Sequence, residues 1–214
     1  MDRFRGYRFR WVHLLFLFVW TLLVLYPNPY RLIASIGRTI HPPLAPDAVA
    51  DLVDGELALV LDDPRAVEQF VLQRFPYQYD WETYRVPWYF PSVEEALERK
   101  TGDCKTRFVV LASLFEHLEI PYQKTLSLTH FWVVYEGKEE AGIERTELAW
   151  VIRDDEGVRF QRPGESARDV WDAFRKAFWD PMPFERKVLF LLGPVLMVGL
   201  GTIPFRRSIL KGSR

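Results

Sequence analysis

Two uncharged apolar runs, one near each end of the chain, most constrain what it can fold into. Residues 11–26 read WVHLLFLFVWTLLVLY and stop at Pro27-Asn28-Pro29; residues 188–203 read VLFLLGPVLMVGLGTI and lie between Arg186-Lys187 and Arg206-Arg207. Each run is 16 residues. As helix, that spans roughly 24 Å at ~1.5 Å per residue, a little short of a ~30 Å hydrocarbon layer. Snorkelling Arg and Lys side chains and flanking aromatics close such a gap. A buried core helix is the alternative for each run, and the basic flanks argue against it. A cleaved signal peptide is a further alternative for the first run. No small-x-small cleavage site follows directly, so an uncleaved anchor is expected. Gly193-Pro194 predicts a kink or loosening of the second run.

Charge is segregated along the chain. Residues 1–10 carry Arg3, Arg5, Arg8 and Arg10 against Asp2, and residues 204–214 carry Arg206, Arg207, Lys211 and Arg214 with no acid. The middle is left at about −8, which excludes a general nucleic-acid binder. Basic ends mark the cytoplasmic side, so the sequence predicts a cell-membrane protein with both termini in the cytoplasm and the central domain outside. The expected organisation is a basic tail (1–10), a transmembrane helix (11–26), a Pro-rich linker (27–46), a folded domain (47–164), an amphipathic juxtamembrane helix (165–187), a second transmembrane helix (188–203) and a basic tail (204–214). The lipid bilayer is an expected partner; nucleic acid is not. With 49% apolar and 27% charged residues, neither a disordered chain nor a polytopic transporter fits.

Within the domain, Asp62-Asp63-Pro64 supplies a cap and a first-turn proline for a helix over 64–75. Ser92 and Glu95 fit a capping box, and that helix is expected to stop near Thr101-Gly102, with Gly102 as the left-handed residue. Residues 103–118 form the most apolar helix, with Cys104, Phe108, Leu111, Phe115 and Leu118 on one face and apolar residues over most of the rest. Such a helix is buried on nearly all sides. From residue 122 the pattern turns to strands: YQKTLSL, HFWVVYE, LAWVIR, a DDEG turn and VRFQRP. Helices first and sheet second predict an α+β fold.

The only cysteine, Cys104, forbids an internal disulfide, and with four histidines it excludes a Cys-rich zinc site. No cofactor or metal is expected. Cys104 falls in the first turn of the buried helix. A helix N-terminus carries partial positive charge and unpaired N–H groups, which favour a thiolate and hold an oxyanion. His130, at the start of a strand on the expected partner sheet, is the candidate base. The bland readings are a small core hydrophobe for Cys104 and a satisfied edge or core residue for His130. His117 faces elsewhere on the helix and reads as structural, and His41 as a linker residue.

The segments Pro91-Ser92-Val93-Glu94-Glu95-Ala96-Leu97, Gly102-Asp103-Cys104-Lys105, Leu118-Glu119-Ile120-Pro121-Tyr122 and His130-Phe131-Trp132-Val133 resemble the transglutaminase-like superfamily. That resemblance covers about residues 64–155. It implies a papain-like core, a Cys-His-acid triad and a thioester intermediate on amide or peptide bonds, with hydrolysis favoured over cross-linking. A protein, peptide or cell-envelope polymer is the implied substrate. The layout is also similar to small membrane-anchored members of archaea and bacteria. A catalytically inactive binding or scaffold module on the same fold is the rival reading.

The family's orienting Asp has two candidate counterparts. A loop centred on Gly137 sets Glu144 across from His130 on a paired strand, and Gly142-Ile143-Glu144-Arg145-Thr146 is similar to the family's apolar-Asp-Pro-Thr with Glu for Asp. A loop centred on Gly142 sets Asp154 there instead, and Trp150-x3-Asp154 is similar to the family's Trp-x3-Asp. The shorter connection favours Glu144. Tyr84, Trp88 and Tyr89 fall where the family carries an aromatic near the oxyanion, with core packing as the alternative. Glu136, Glu139, Glu140, Glu144 and Glu147 lack the spacing of a calcium loop and otherwise read as a solvated face.

Overall fold

In the computed structural model the chain forms two compact units, one from Tyr30–Met182 and one from Met1–Pro29 with Pro183–Arg214. The structure describes residues 11–55, 63–140, 142–154, 157–162 and 164–202. Both basic tails, Asp62 of the expected cap and Asp155-Glu156 of the expected turn lie outside the described residues.

The larger unit is α+β, with helices before strands. Helices α2 (Tyr30–Ile40), α3 (Ala50–Asp54), α4 (Pro64–Arg74), α5 (Asp80–Thr83), α6 (Val93–Arg99) and α7 (Cys104–His117) come first. Strands β1 (Tyr122–Leu126), β2 (Phe131–Tyr135), β3 (Val151–Asp154) and β4 (Gly157–Phe160) follow, and then α8 (Ala167–Phe174). Among the described residues the sheet is antiparallel throughout, in the order β2-β1-β3-β4.

Helix α7 is the centre of the packing. Val109, Val110, Ala112, Leu114 and Phe115 on it are fully buried, against Val67 and Val71 of α4, Val93 and Ala96 of α6, and Val133 and Tyr135 of β2. Being covered by helices on some sides and by the sheet on another satisfies its all-round apolarity. Both ends are fixed locally. At the start, Asp103 caps the helix by accepting the Lys105 N–H at 2.9 Å. At the end, Glu119 takes a left-handed conformation (φ 55°), the Ile120 N–H reaches back to the Phe115 carbonyl at 2.9 Å, and Pro121 follows.

The stop of α6 differs from expectation. Lys100, not Gly102, is the left-handed residue (φ 56°). Gly102 is instead required by close packing: a Cβ there would sit 2.1 Å from Thr106 Oγ1 in the first turn of α7. The linker reading of 27–46 also needs correcting, because α2 fills its middle. The prolines bracket that helix rather than interrupt it. Ser35 Oγ accepts the Phe90 N–H at 3.0 Å, and Arg38 donates to Glu95 at 2.7 Å and to the Phe90 carbonyl at 3.0 Å, which seats α2 on the domain.

A buried charge cluster joins α5 to the start of α7. The Lys105 side chain is enclosed; its ammonium donates to the Asp103 carboxylate and lies 2.9 Å from Asp80 Oδ2. Asp80 Oδ2 also accepts the Tyr89 N–H at 2.7 Å. Burial, helped by the charge of Asp103, pushes Asp80 up to about 7. Burial works against the Lys105 ammonium, but Asp103 and Asp80 outweigh it and keep the group protonated.

In the smaller unit, α1 (Trp11–Leu25) packs antiparallel to α9 (Phe184–Thr202). Trp20 Nε1 donates to the Leu189 carbonyl at 2.8 Å, and Arg186 donates to the Val24 carbonyl at 2.7 Å. Gly193 lies beneath the Trp20 ring, where a Cβ would come within 2.4 Å. The two apolar runs are thus helical, but among the described residues no single helix is long and apolar enough to cross a membrane. Helix α1 has 15 residues, and the first turn of α9 holds Glu185, Arg186 and Lys187.

Two substitutions test this frame. Lys105→Met leaves two buried carboxylates without a cation and is expected to cost about 3–5 kcal/mol in urea denaturation, with partial recovery when Asp80→Asn is added. Glu119→Gly relieves the left-handed strain and is expected to raise stability by about 1 kcal/mol in the same measurement.

Candidate active site

A cleft at the start of α7 collects Cys104, His130 and Glu144. It holds about 410 Å³ counting the solvent at its mouth, and its walls include Val71, Leu72, Tyr77, Arg107 and Phe108. Cys104 is 7% exposed and borders this space.

The turn before β2 positions His130. Ser127 Oγ accepts the N–H groups of Thr129 (3.2 Å) and His130 (3.1 Å), and the Ser127 N–H donates to the His130 carbonyl at 2.9 Å. Glu165 ties this turn from outside by accepting the Leu128 N–H at 2.8 Å and the Ser127 hydroxyl at 3.1 Å. The ring stacks on Trp132, two residues along the same strand face, with centroids 5.7 Å apart.

His130 Nε2 lies 2.9 Å from Glu144 Oε1. Burial disfavours the imidazolium, but hydrogen bonds to Cys104 and Glu144, and their charges, overcome it and push His130 up to about 9. Burial likewise disfavours the Glu144 carboxylate; the bond to His130 and the charge of Lys138 outweigh that and hold it below its ordinary value. An ionised carboxylate only accepts, so Nε2 carries the proton and Nδ1 is the ring nitrogen left for the sulfur.

The carboxylate is itself held. Lys138 donates to Glu144 Oε2 at 2.7 Å and to Glu68 Oε1 at 2.6 Å, and Glu68 Oε2 accepts the Tyr135 hydroxyl at 2.6 Å. A chain of alternating charges thus runs from His130 through Glu144 and Lys138 to Glu68 on α4. Lys138 and Glu68 carry no motif and are distant in sequence, so reading along the chain did not find them. Arg107 and Tyr77 were also missed. Arg107 had a signal, because it lies three residues beyond Cys104 and so on the same helix face.

Two expectations about the site's architecture are corrected. Glu144 reaches His130 from the segment that returns after β2, where it forms a single-residue β-bridge rather than part of an extended strand; the full-length partner of β2 is β1. Asp154 is remote from His130 because β1 separates β3 from β2. Its carboxylate accepts from Arg159 at 2.6 Å and from Gln123 at 3.3 Å. Tyr84, Trp88 and Tyr89 do not line the cleft, whereas Tyr77 does. The acidic residues near Glu144 are partly tied down: Glu139 meets Arg65 at 3.2 Å and Glu140 accepts the Thr146 N–H at 2.9 Å. Among the described residues, no group of three or more His, Cys, Asp or Glu side chains is arranged to hold a metal ion.

No protein-family model matches the chain, and no curated protein is significantly similar to it.

The pKa directions fix a pH signature. Because His130 is raised when folded, its contribution is complete below its unfolded value of ~6.5 and fades as pH rises through about 9. Glu144 is lowered, so its contribution is present above ~4.5 and fades on acidification. The stability lost in His130→Gln, measured by denaturation across pH, is expected to be largest near pH 5–6.5 and to shrink toward pH 10.

Proposed function

We propose that the larger unit is a transglutaminase-like cysteine enzyme with a papain-type core, acting on amide or peptide bonds. The observation that carries this reading is the 2.9 Å contact of His130 Nε2 with Glu144, on a ring that shares one cleft with Cys104 at the start of α7. The α+β order, with the cysteine helix packed on an antiparallel sheet, supports it. So does the left-handed Glu119 at the end of that helix, where the family pattern has Gly.

In this mechanism His130 Nδ1 takes the thiol proton, or already holds it in an ion pair with the thiolate, and Sγ attacks the carbonyl carbon of the substrate amide. The Cys104 N–H, at the open end of α7, donates to the developing oxyanion; the Lys105 N–H is already committed to Asp103. The C–N bond then breaks, and the leaving amine takes the proton from His130. Water, deprotonated by His130, attacks the thioester, releases a carboxylic acid and restores the thiol. Glu144 keeps the proton on Nε2 throughout, the orienting part of a triad, and Lys138 keeps Glu144 ionised. A protein, peptide or cell-envelope polymer is the proposed substrate, with hydrolysis preferred to cross-linking.

We further propose that the helix pair anchors this domain to a membrane as a unit, with both basic ends in the cytoplasm. Its support is the apolar exterior: Trp11, Leu15, Phe18, Phe184, Leu191 and Val195 are all exposed. Lipid would cover that surface, and flanking basic residues would reach the headgroups.

Alkylation tests the catalytic reading. At pH 6.5 iodoacetamide is expected to modify Cys104 in the folded protein at least tenfold faster than in His130→Ala, with Glu144→Gln between the two. Labelling that appears only after unfolding would overturn the enzyme reading in favour of a binding module.

A further inference from the structure

Arg107 shares the cleft with Cys104, one helical turn further along α7. Among the described residues it makes no ion pair, unlike the other charged groups of the site. Lys138 is held by Glu144 and Glu68, and His130 by Glu144. The guanidinium instead donates from Nε to the Phe75 carbonyl at 2.9 Å and from Nη2 to the Leu72 carbonyl at 3.4 Å, at the end of α4. It also lies over the Tyr77 ring, 5.3 Å from its centroid. These contacts fix the plane of the group and leave Nη1 without an acceptor among the described residues. A half-buried cation held in one orientation beside a nucleophile, with no carboxylate of its own, is suited to receiving one from a ligand.

We propose that Arg107 is the specificity residue of the cleft and binds a carboxylate on the residue adjoining the carbonyl that Cys104 attacks. This rests on the cysteine-enzyme reading and adds the substrate class: amides flanked by an acidic side chain or by a chain-terminal carboxylate. The groups facing this subsite are Tyr77, Cys104, His130, Glu68 and Glu144. The two glutamates are already ion-paired, Glu68 with Lys138 and Glu144 with Lys138 and His130, so the anion would meet the guanidinium's own charge. Leu72, Val71 and Leu111 line the rest of the wall and suit the aliphatic part of such a residue.

Two reagents with the same reacting carbon and leaving group, but different charge, read this directly. A free thiolate repels iodoacetate relative to iodoacetamide. In the folded protein the iodoacetate-to-iodoacetamide rate ratio for Cys104 is expected to exceed that of N-acetylcysteine amide by about tenfold at low salt, the size of a unit charge acting over a few ångströms in a partly wet cleft. Arg107→Gln is expected to bring the ratio down to the free-thiol value, and Arg107→Lys to keep most of it. The iodoacetamide rate serves as the control for folding, since a damaged α4 end changes both rates together. An unchanged ratio in Arg107→Gln overturns the proposal and leaves Arg107 as a cap for α4. Protection of Cys104 by N-acetylglutamate N-methylamide identifies a side-chain carboxylate, and protection by N-acetylalanine a chain end; protection by neither counts against the subsite. Should Cys104 take neither reagent, the catalytic reading alone falls. The subsite is then read from the Arg107 Nε–H resonance on titration with the same two compounds, and no shift with either overturns it.

Discussion

Enclosing a lysine ammonium beside the only cysteine is the constraint on which the site depends. Lys105 cannot be buried alone, so Asp103 and Asp80 must both meet it. Asp103 thereby becomes the cap of α7, and Asp80 brings α5 and the Tyr89 backbone against the same turn. Cys104 lies between the cap and the buried charge, so its place at the helix end is set from both sides. Gly102 lets the chain pass close enough to Thr106 for this to happen. The start of α7 is therefore a rigid platform, and the imidazole is brought to it by the sheet.

The second half of the site works by relay rather than burial alone. Glu144 stands at an isolated bridge within a loop, which is a poor place for a precisely held carboxylate. The Lys138 bridge to Glu68 ties that loop to α4, the helix that also supplies the Arg107 acceptors. The loop thus inherits the rigidity of a helix, and the imidazole inherits a fixed tautomer.

Much of this was legible along the chain. Local signals such as Asp63-Pro64, the Ser92–Glu95 box and the unbroken apolar face of 104–118 depend on residues close in sequence, and the elements follow them. The four strands were readable from alternation, but their order was not. Alternation says which face is buried and nothing about which neighbour is chosen, so the insertion of β1 between β2 and β3 was invisible, and with it the exclusion of Asp154. Glu144 was singled out through a strand pairing that shrinks to a single bridge residue at Glu144 itself. Its real support, Lys138 and Glu68, is a tertiary contact between residues 70 apart. Helix α2 was hidden for a different reason: prolines at both borders dominated the reading of a segment whose interior has none.

The antiparallel pair of α1 and α9 has a further consequence. The bond from Arg186 to the Val24 carbonyl holds together the two places where the chain enters and leaves the larger unit. Wherever that pair outlasts the domain, the denatured domain is a closed ring of roughly 150 residues instead of an open strand. Ring closure of that length removes unfolded-state entropy worth on the order of 4–5 kcal/mol. Two helices of a chain with one cysteine would then act as the covalent staple that such a chain cannot make.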